Sequence, residues 1–140
     1  MPKELMLYRA RPEFGPFAGW ELSHFESLGS VEAVALAIRN LYADPLRWSR
    51  YEDSGWIFAE GLDGDRVIDL MFRAAAHGGV DYLVIRKAVG ATIVKLVEFL
   101  DLNFVYDPAA TKYHDPYRCD AKGEALAAKG LYALTAERRP

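Results

Sequence analysis

The run Trp56-Ile57-Phe58-Ala59-Glu60-Gly61-Leu62-Asp63-Gly64-Asp65-Arg66-Val67-Ile68-Asp69-Leu70-Met71-Phe72-Arg73 carries the clearest structural signal in the chain. Asp63-Gly64 separates two runs of aromatic and β-branched residues. Asp-Gly in that setting favours a type I′ turn, because both central residues must tolerate positive φ. After the turn, Ile68, Leu70 and Phe72 recur with period two on one face, while Val67, Asp69, Met71 and Arg73 take the other. One face is apolar and the other mixed, as expected of an antiparallel hairpin buried on one side.

Working outward, His77-Gly78-Gly79 marks a further turn, and Val80 to Arg86 reads as a strand apolar on both faces, which suits a central position. Upstream, Arg47 to Tyr51 reads as a polar edge strand, followed by the turn Glu52-Asp53-Ser54-Gly55. Residues 48–86 thus form an antiparallel meander. Leu5 to Tyr8 is a first strand, and Asn103-Phe104-Val105-Tyr106 a last one. Ser30 is a good helix N-cap with Glu32 in the first turn, and Val31, Val34, Ile38, Leu41 and Tyr42 follow at helical spacing until Asp44-Pro45. A second helix starts near Gly90 and buries Ile93, Leu96, Val97 and Leu100. Asp120 to Lys129 reads as a short third helix ending at Gly130. Pro108 and Pro116 bracket a polar loop between them.

The expected fold class is therefore α+β. A mostly antiparallel β-sheet of five to six strands, with the meander at its centre, carries two main helices packed on one face. This is a ferredoxin-like or related sandwich with an added short C-terminal helix. At 140 residues the chain is most simply one domain, residues 1–140, with 135–140 as a frayed tail. A hydrophobic fraction of 51% and an aromatic content of 13% support a packed core. No apolar run is long enough for a transmembrane helix. Met1-Pro2-Lys3-Glu4 leads into a strand rather than a secretory signal, so the cytoplasm is the expected address. The single Cys119 excludes an internal disulfide, and the net charge of −3 argues against non-specific nucleic-acid binding.

Phosphate-binding, zincin and nucleophile-elbow motifs do not occur, and no cofactor is expected. Tyr113-His114-Asp115 with Cys119 four residues on is the nearest approach to a catalytic cluster. A thiolate needs a neighbouring base, and adjacency in sequence does not supply one. No catalytic and no metal residues are assigned. Two surfaces suit a protein partner instead. One is the acidic set around the meander, with Glu52, Asp53, Glu60, Asp63 and Asp65, which would steer a basic surface. The other is the long 11–29 connection, whose Trp20 is an efficient interface anchor. The alternative is a small ligand-binding domain or enzyme with its pocket between the sheet and the 11–29 loop, and Tyr8, Trp20 or His24 at the mouth.

The strand at Leu5, the capped helix from Ser30, the meander with Asp63-Gly64 and the closing Asn103-to-Tyr106 strand give a layout that resembles small bacterial immunity proteins of polymorphic toxins. The resemblance covers most of the chain and carries no diagnostic motif. It implies tight binding to a cognate bacterial toxin domain, inhibition by occlusion of the toxin's active site, and no catalytic residues in this chain. The expected partner is thus a protein, with no nucleic acid and no membrane; a homodimer is compatible with this.

Overall fold

The computed structural model describes residues 4–10, 25–42, 45–86, 90–110 and 112–127. Ten elements follow one another: β1 (Glu4–Tyr8), α1 (Val31–Leu41), β2 (Arg47–Arg50), β3 (Ile57–Asp63), β4 (Arg66–Phe72), β5 (Tyr82–Arg86), α2 (Gly90–Phe99), β6 (Phe104–Asp107), β7 (Lys112–Cys119) and β8 (Ala125–Ala127). The eight strands form one sheet in the order β2-β3-β4-β5-β1-β6-β7-β8. Every pairing is antiparallel.

The expected ferredoxin-like sandwich of five to six strands with two helices on one face is overturned by this sheet. Its two extra strands lie where a polar loop and a third helix were expected. Lys112–Cys119 is extended despite Pro116, because the ladder to β8 shifts register between Asp115 and Cys119. Proline lacks an N–H and is accommodated at such an irregularity. Ala125–Ala127 then pairs with β7. The helix propensity of its alanines is a weak preference that strand pairing overrides.

β1 sits between β5 and β6, with Leu7 facing Leu83 on one side and Val105 on the other. Both neighbours oppose β1, so β5 and β6 run parallel to each other and are joined through α2. The side chains of β1 divide by parity. Leu5 and Leu7 join Ile57, Ala59, Ile68, Leu70, Phe72, Leu83, Ile85 and Val105 in one buried cluster, to which α1 gives Val34, Ala35 and Ile38 and α2 gives Ile93, Leu96 and Val97. Tyr8 enters a second, smaller cluster with Ala10, Phe104 and Tyr106. The larger cluster lies on the inner face of the sheet and the smaller on the outer face.

Local chemistry fixes the ends of the elements. Ser30 Oγ accepts from Ala33 N at 3.1 Å and caps α1. Asp101, at φ +57°, turns the chain out of α2, and Arg9 donates to Leu100 O and Asp101 O at 2.8 and 3.0 Å. The β3–β4 turn is displaced by one residue from the expected one. Asp63 pairs with Arg66, so the two-residue loop is Gly64-Asp65, with Gly64 at φ +67° and Asp65 outside the left-handed region. Glycine at the first central position alone is the signature of a type II′ turn rather than type I′.

Gly90 anchors α2 to the β7–β8 hairpin. Its N–H donates to Gly123 O at 2.7 Å. A Cβ at this position would lie 2.2 Å from Cys119 Sγ and 3.0 Å from Pro116 O. Gly90→Ala is therefore expected to lower stability by about 1–3 kcal/mol through overpacking. Adding Cys119→Ala should restore part of the loss, as read by denaturant unfolding of the single and double variants.

Two buried phenols give a second expectation. Burial is the main cause that raises the Tyr8 and Tyr42 hydroxyls above the ordinary tyrosine range, with Tyr113 adding to the first and Asp63 to the second. A raised folded-state value means that the unfolded chain loses its proton first as pH climbs. Their stabilising effect is thus complete below about pH 10 and is lost above it. Tyr42 Oη is also buried with no partner among the described residues. Tyr42→Phe removes that group, so stability at neutral pH should stay level or rise by up to about 1 kcal/mol. The alkaline limb of a pH–Tm profile should move upward in the same variant.

Candidate functional site

On the outer face over β2, β3 and β4, Arg47, Ser49, Leu62 and Val67 are exposed. Cross-strand registers place Arg47, Glu60, Asp69, Arg86 and Glu4 in one row running from the edge strand to the central strand. Arg47 pairs with Glu60 at 2.8 Å, and Arg86 pairs with Asp69 at 3.0 Å. The Arg47–Glu60 pair lies in solvent. Asp69 is buried and Arg86 is half-buried, with its guanidinium 5.6 Å from the Phe58 ring centroid. The row reads as two ion pairs with the like-charged Glu60 and Asp69 facing each other between them; its register is held because a one-residue slip would carry each charge into the inner core.

Beside the row, towards the β3–β4 turn, Leu62 faces Val67 across the hairpin. These two apolar side chains are 49% and 51% exposed. They share an open groove of about 510 Å³ with Pro45, Arg47, Glu60 and Asp69. The groove has an apolar floor, one paired charge wall, and Asp65 exposed at the turn beyond it.

The five described acidic residues of the expected partner surface do not lie together. Glu52 and Asp53 are exposed in the β2–β3 turn, at one end of β3. Asp63 and Asp65 are at the other end, about 20 Å away along a seven-residue strand. Glu60 is engaged by Arg47, and Asp63 by Lys95 at 2.8 Å. Trp20 lies outside the described residues, as does His24. Tyr8, expected at a pocket mouth, is fully buried beneath Phe25, which meets its ring edge-on at 5.2 Å. The sequence reading did not single out Leu62, Val67 or the Arg47–Glu60–Asp69–Arg86 row. The signal was present in the alternation of both strands but needed the register to become a surface.

The Tyr113-His114-Asp115 stretch is structural. His114 is 6% exposed and donates from Nδ1 to Ala125 O at 3.0 Å, while its Nε2 lies 3.5 Å from Asp107 Oδ2. Both ring nitrogens are thus directed at β6 and β8, and neither at Cys119. The Cys119 thiol donates to Pro116 O at 3.3 Å. Burial of the sulfur, then the Asp120 and Asp115 carboxylates, push its pKa upward, which disfavours the nucleophilic thiolate. Among the described residues no group of three or more His, Cys, Asp or Glu is placed to hold a metal ion. No helix among them is long and apolar enough to cross a membrane.

Neither a protein-family model, nor a curated protein, nor a solved structure matches this chain.

The Asp69–Arg86 pair can be tested on its own. Asp69→Asn leaves a half-buried guanidinium without its counter-charge, and Arg86 Nε is already buried without a partner among the described residues. A loss of about 1–3 kcal/mol is expected in chemical denaturation. Arg47→Ala, at the solvent end of the same row, should cost no more than about 0.5 kcal/mol.

Proposed function

We propose that the chain is a non-enzymatic protein-binding module that docks through the outer face of β2–β4, in the manner of an immunity protein covering a toxin's active site. The observation that carries the reading is the Leu62–Val67 pair. Two facing apolar side chains, each about half exposed, form the floor of a groove edged by charged side chains. An apolar centre with a polar rim is the usual anatomy of a protein interface.

Charge selects the kind of partner. The chain carries a net charge of −3. Asp65 stands exposed beside the groove, and Glu60 remains partly open on its other side. A complementary surface presents an apolar side chain to Leu62 and Val67 and basic groups around it. Such a surface gains on-rate from the field and residence time from the apolar contact. The β2 edge, Arg47-Trp48-Ser49-Arg50, is short and charged, which discourages strand addition there.

The test compares captures from native-cell lysate by the unmodified chain and by Leu62→Asp, Val67→Asp and Asp65→Lys. The reading expects one stoichiometric partner with a basic surface. Binding should fall at least about tenfold with either apolar-to-acid change, with the melting temperature kept. Leu126→Asp, on the exposed surface of β8, should leave capture unchanged. Expression of the captured partner should be toxic, and the unmodified chain but not Leu62→Asp should relieve it. Equal capture by all variants would reject this surface. A partner that is harmless alone would reject the immunity role, and recovery of only the chain itself would point to self-association.

A further inference from the structure

β2 is one edge of the sheet, and among the described residues no strand pairs with its free side. Just beyond its end, Tyr51 N donates to Trp56 O at 2.9 Å. Bonded and non-bonded pairs alternate along an antiparallel ladder. Arg50–Ile57 is therefore a non-bonded pair, Ser49–Phe58 a bonded one, and Trp48–Ala59 again non-bonded. The main-chain N–H and C=O of Trp48 and Arg50 thus point away from β3, towards the free edge. Arg47, Ser49 and Arg50 are exposed along it.

The side chains of the same two residues lie on the inner face, in register with Ala59 and Ile57 of the larger core. There they border a groove of about 320 Å³ between β2 and α1, with Val31, Ala35 and Ile57 as apolar walls. Arg39 of α1 also lines the groove, its guanidinium 4.6 Å from the centroid of the Trp48 ring. Among the described residues neither Arg39 nor Arg50 has a carboxylate partner, and Glu32, the one acid in the lining, pairs with neither. In a chain of net charge −3, this edge is locally basic.

We propose that the free edge of β2 takes an extended acidic segment of another protein as an added antiparallel strand. Residues of that segment directly opposite Trp48 and Arg50 exchange main-chain hydrogen bonds with them and turn their side chains into the groove. Carboxylates at these two positions meet Arg39 and Arg50, and opposite charges across a ladder are stabilising. The antiparallel direction continues the pattern of the whole sheet. Charge on a short edge discourages stray strands and repels a second basic edge, which sets a copy of this chain aside. The same charge selects a strand of opposite sign. The site does not rest on the docking role of the outer face.

The probe is a short labelled peptide alternating glutamate with threonine, capped at both ends and titrated into the full chain, with fluorescence anisotropy as the readout. Saturable binding is expected. The counterpart with lysine in place of glutamate should bind at least about tenfold more weakly. N-methylation of the glutamates removes the donors that face Trp48 and Arg50, and should weaken binding by a similar factor. N-methylation of the threonines, whose N–H groups point away from β2, should leave it unchanged. Arg50→Glu, on an exposed side chain, should also weaken binding at least about tenfold with the melting temperature kept. The modified peptides on the unmodified chain carry the test if that variant unfolds. The proposal is overturned if the acidic peptide does not bind. It is equally overturned if N-methylation of the glutamates changes nothing, since charge alone then holds the peptide. A Leu62→Asp chain should bind the peptide as the unmodified chain does, which keeps a failure here distinct from a failure of the outer-face groove.

Discussion

The sheet depends on the pairing of β1 on both of its edges. Removing that strand would leave β2–β5 and β6–β8 as two separate pieces, because β5 and β6 touch only through it. β1 is five residues long and supplies both cores. Leu5 and Leu7 enter the larger one, and Tyr8 stacks on Phe104 at 5.4 Å in the smaller. A strand inserted between two that follow it by some 75 and 100 residues requires distant segments to meet before any contact rewards them. Hydrophobic burial on both faces and ladder bonds on both edges make that closure favourable.

A gradient across the outer face follows from this arrangement. Near β1 and β6 it is dense with rings, with Phe25 against Tyr8 and Tyr82 and Tyr113 against Phe104 and Tyr106. Near β2 and β3 it thins into ion pairs and isolated apolar side chains. Three guanidinium groups lie over rings in this half of the molecule, Arg39 on Trp48, Arg73 on Trp56 and Arg86 on Phe58. A ring beneath each guanidinium limits how it can turn. The Arg86–Phe58 contact supports the charged row where it crosses the middle of β4 at Asp69.

Much of the local structure could be read from the chain. Ser30 followed by Val34 and Ile38 at helical spacing is a capped amphipathic helix, and Ile68, Leu70 and Phe72 at period two are a strand with one buried face. Both signals are short-range, so the residues that produce them are also the ones that carry them. The hairpin turn was legible as a turn, but its centre moved from Asp63-Gly64 to Gly64-Asp65, because cross-strand register rather than the dipeptide fixes the loop. β7 and β8 were illegible. Proline in the first and alanines in the second oppose a strand assignment, and each is extended because the other is there to pair with it.

The candidate sites divide in the same way. Sequence placed acids around the meander, and the structure separates them by the length of β3 and pairs two of them with Arg47 and Lys95. Leu62 and Val67 become one surface only once the β3–β4 register sets them opposite each other. By itself the sequence determined which segments form α1, α2 and the strands of the meander, since periodicity, caps and turn residues act over a few positions. Tertiary structure alone decided the eight-strand order, the central place of β1 and the membership of every site. These depend on pairings between segments far apart in the chain, and no local pattern encodes which distant partner a strand will meet.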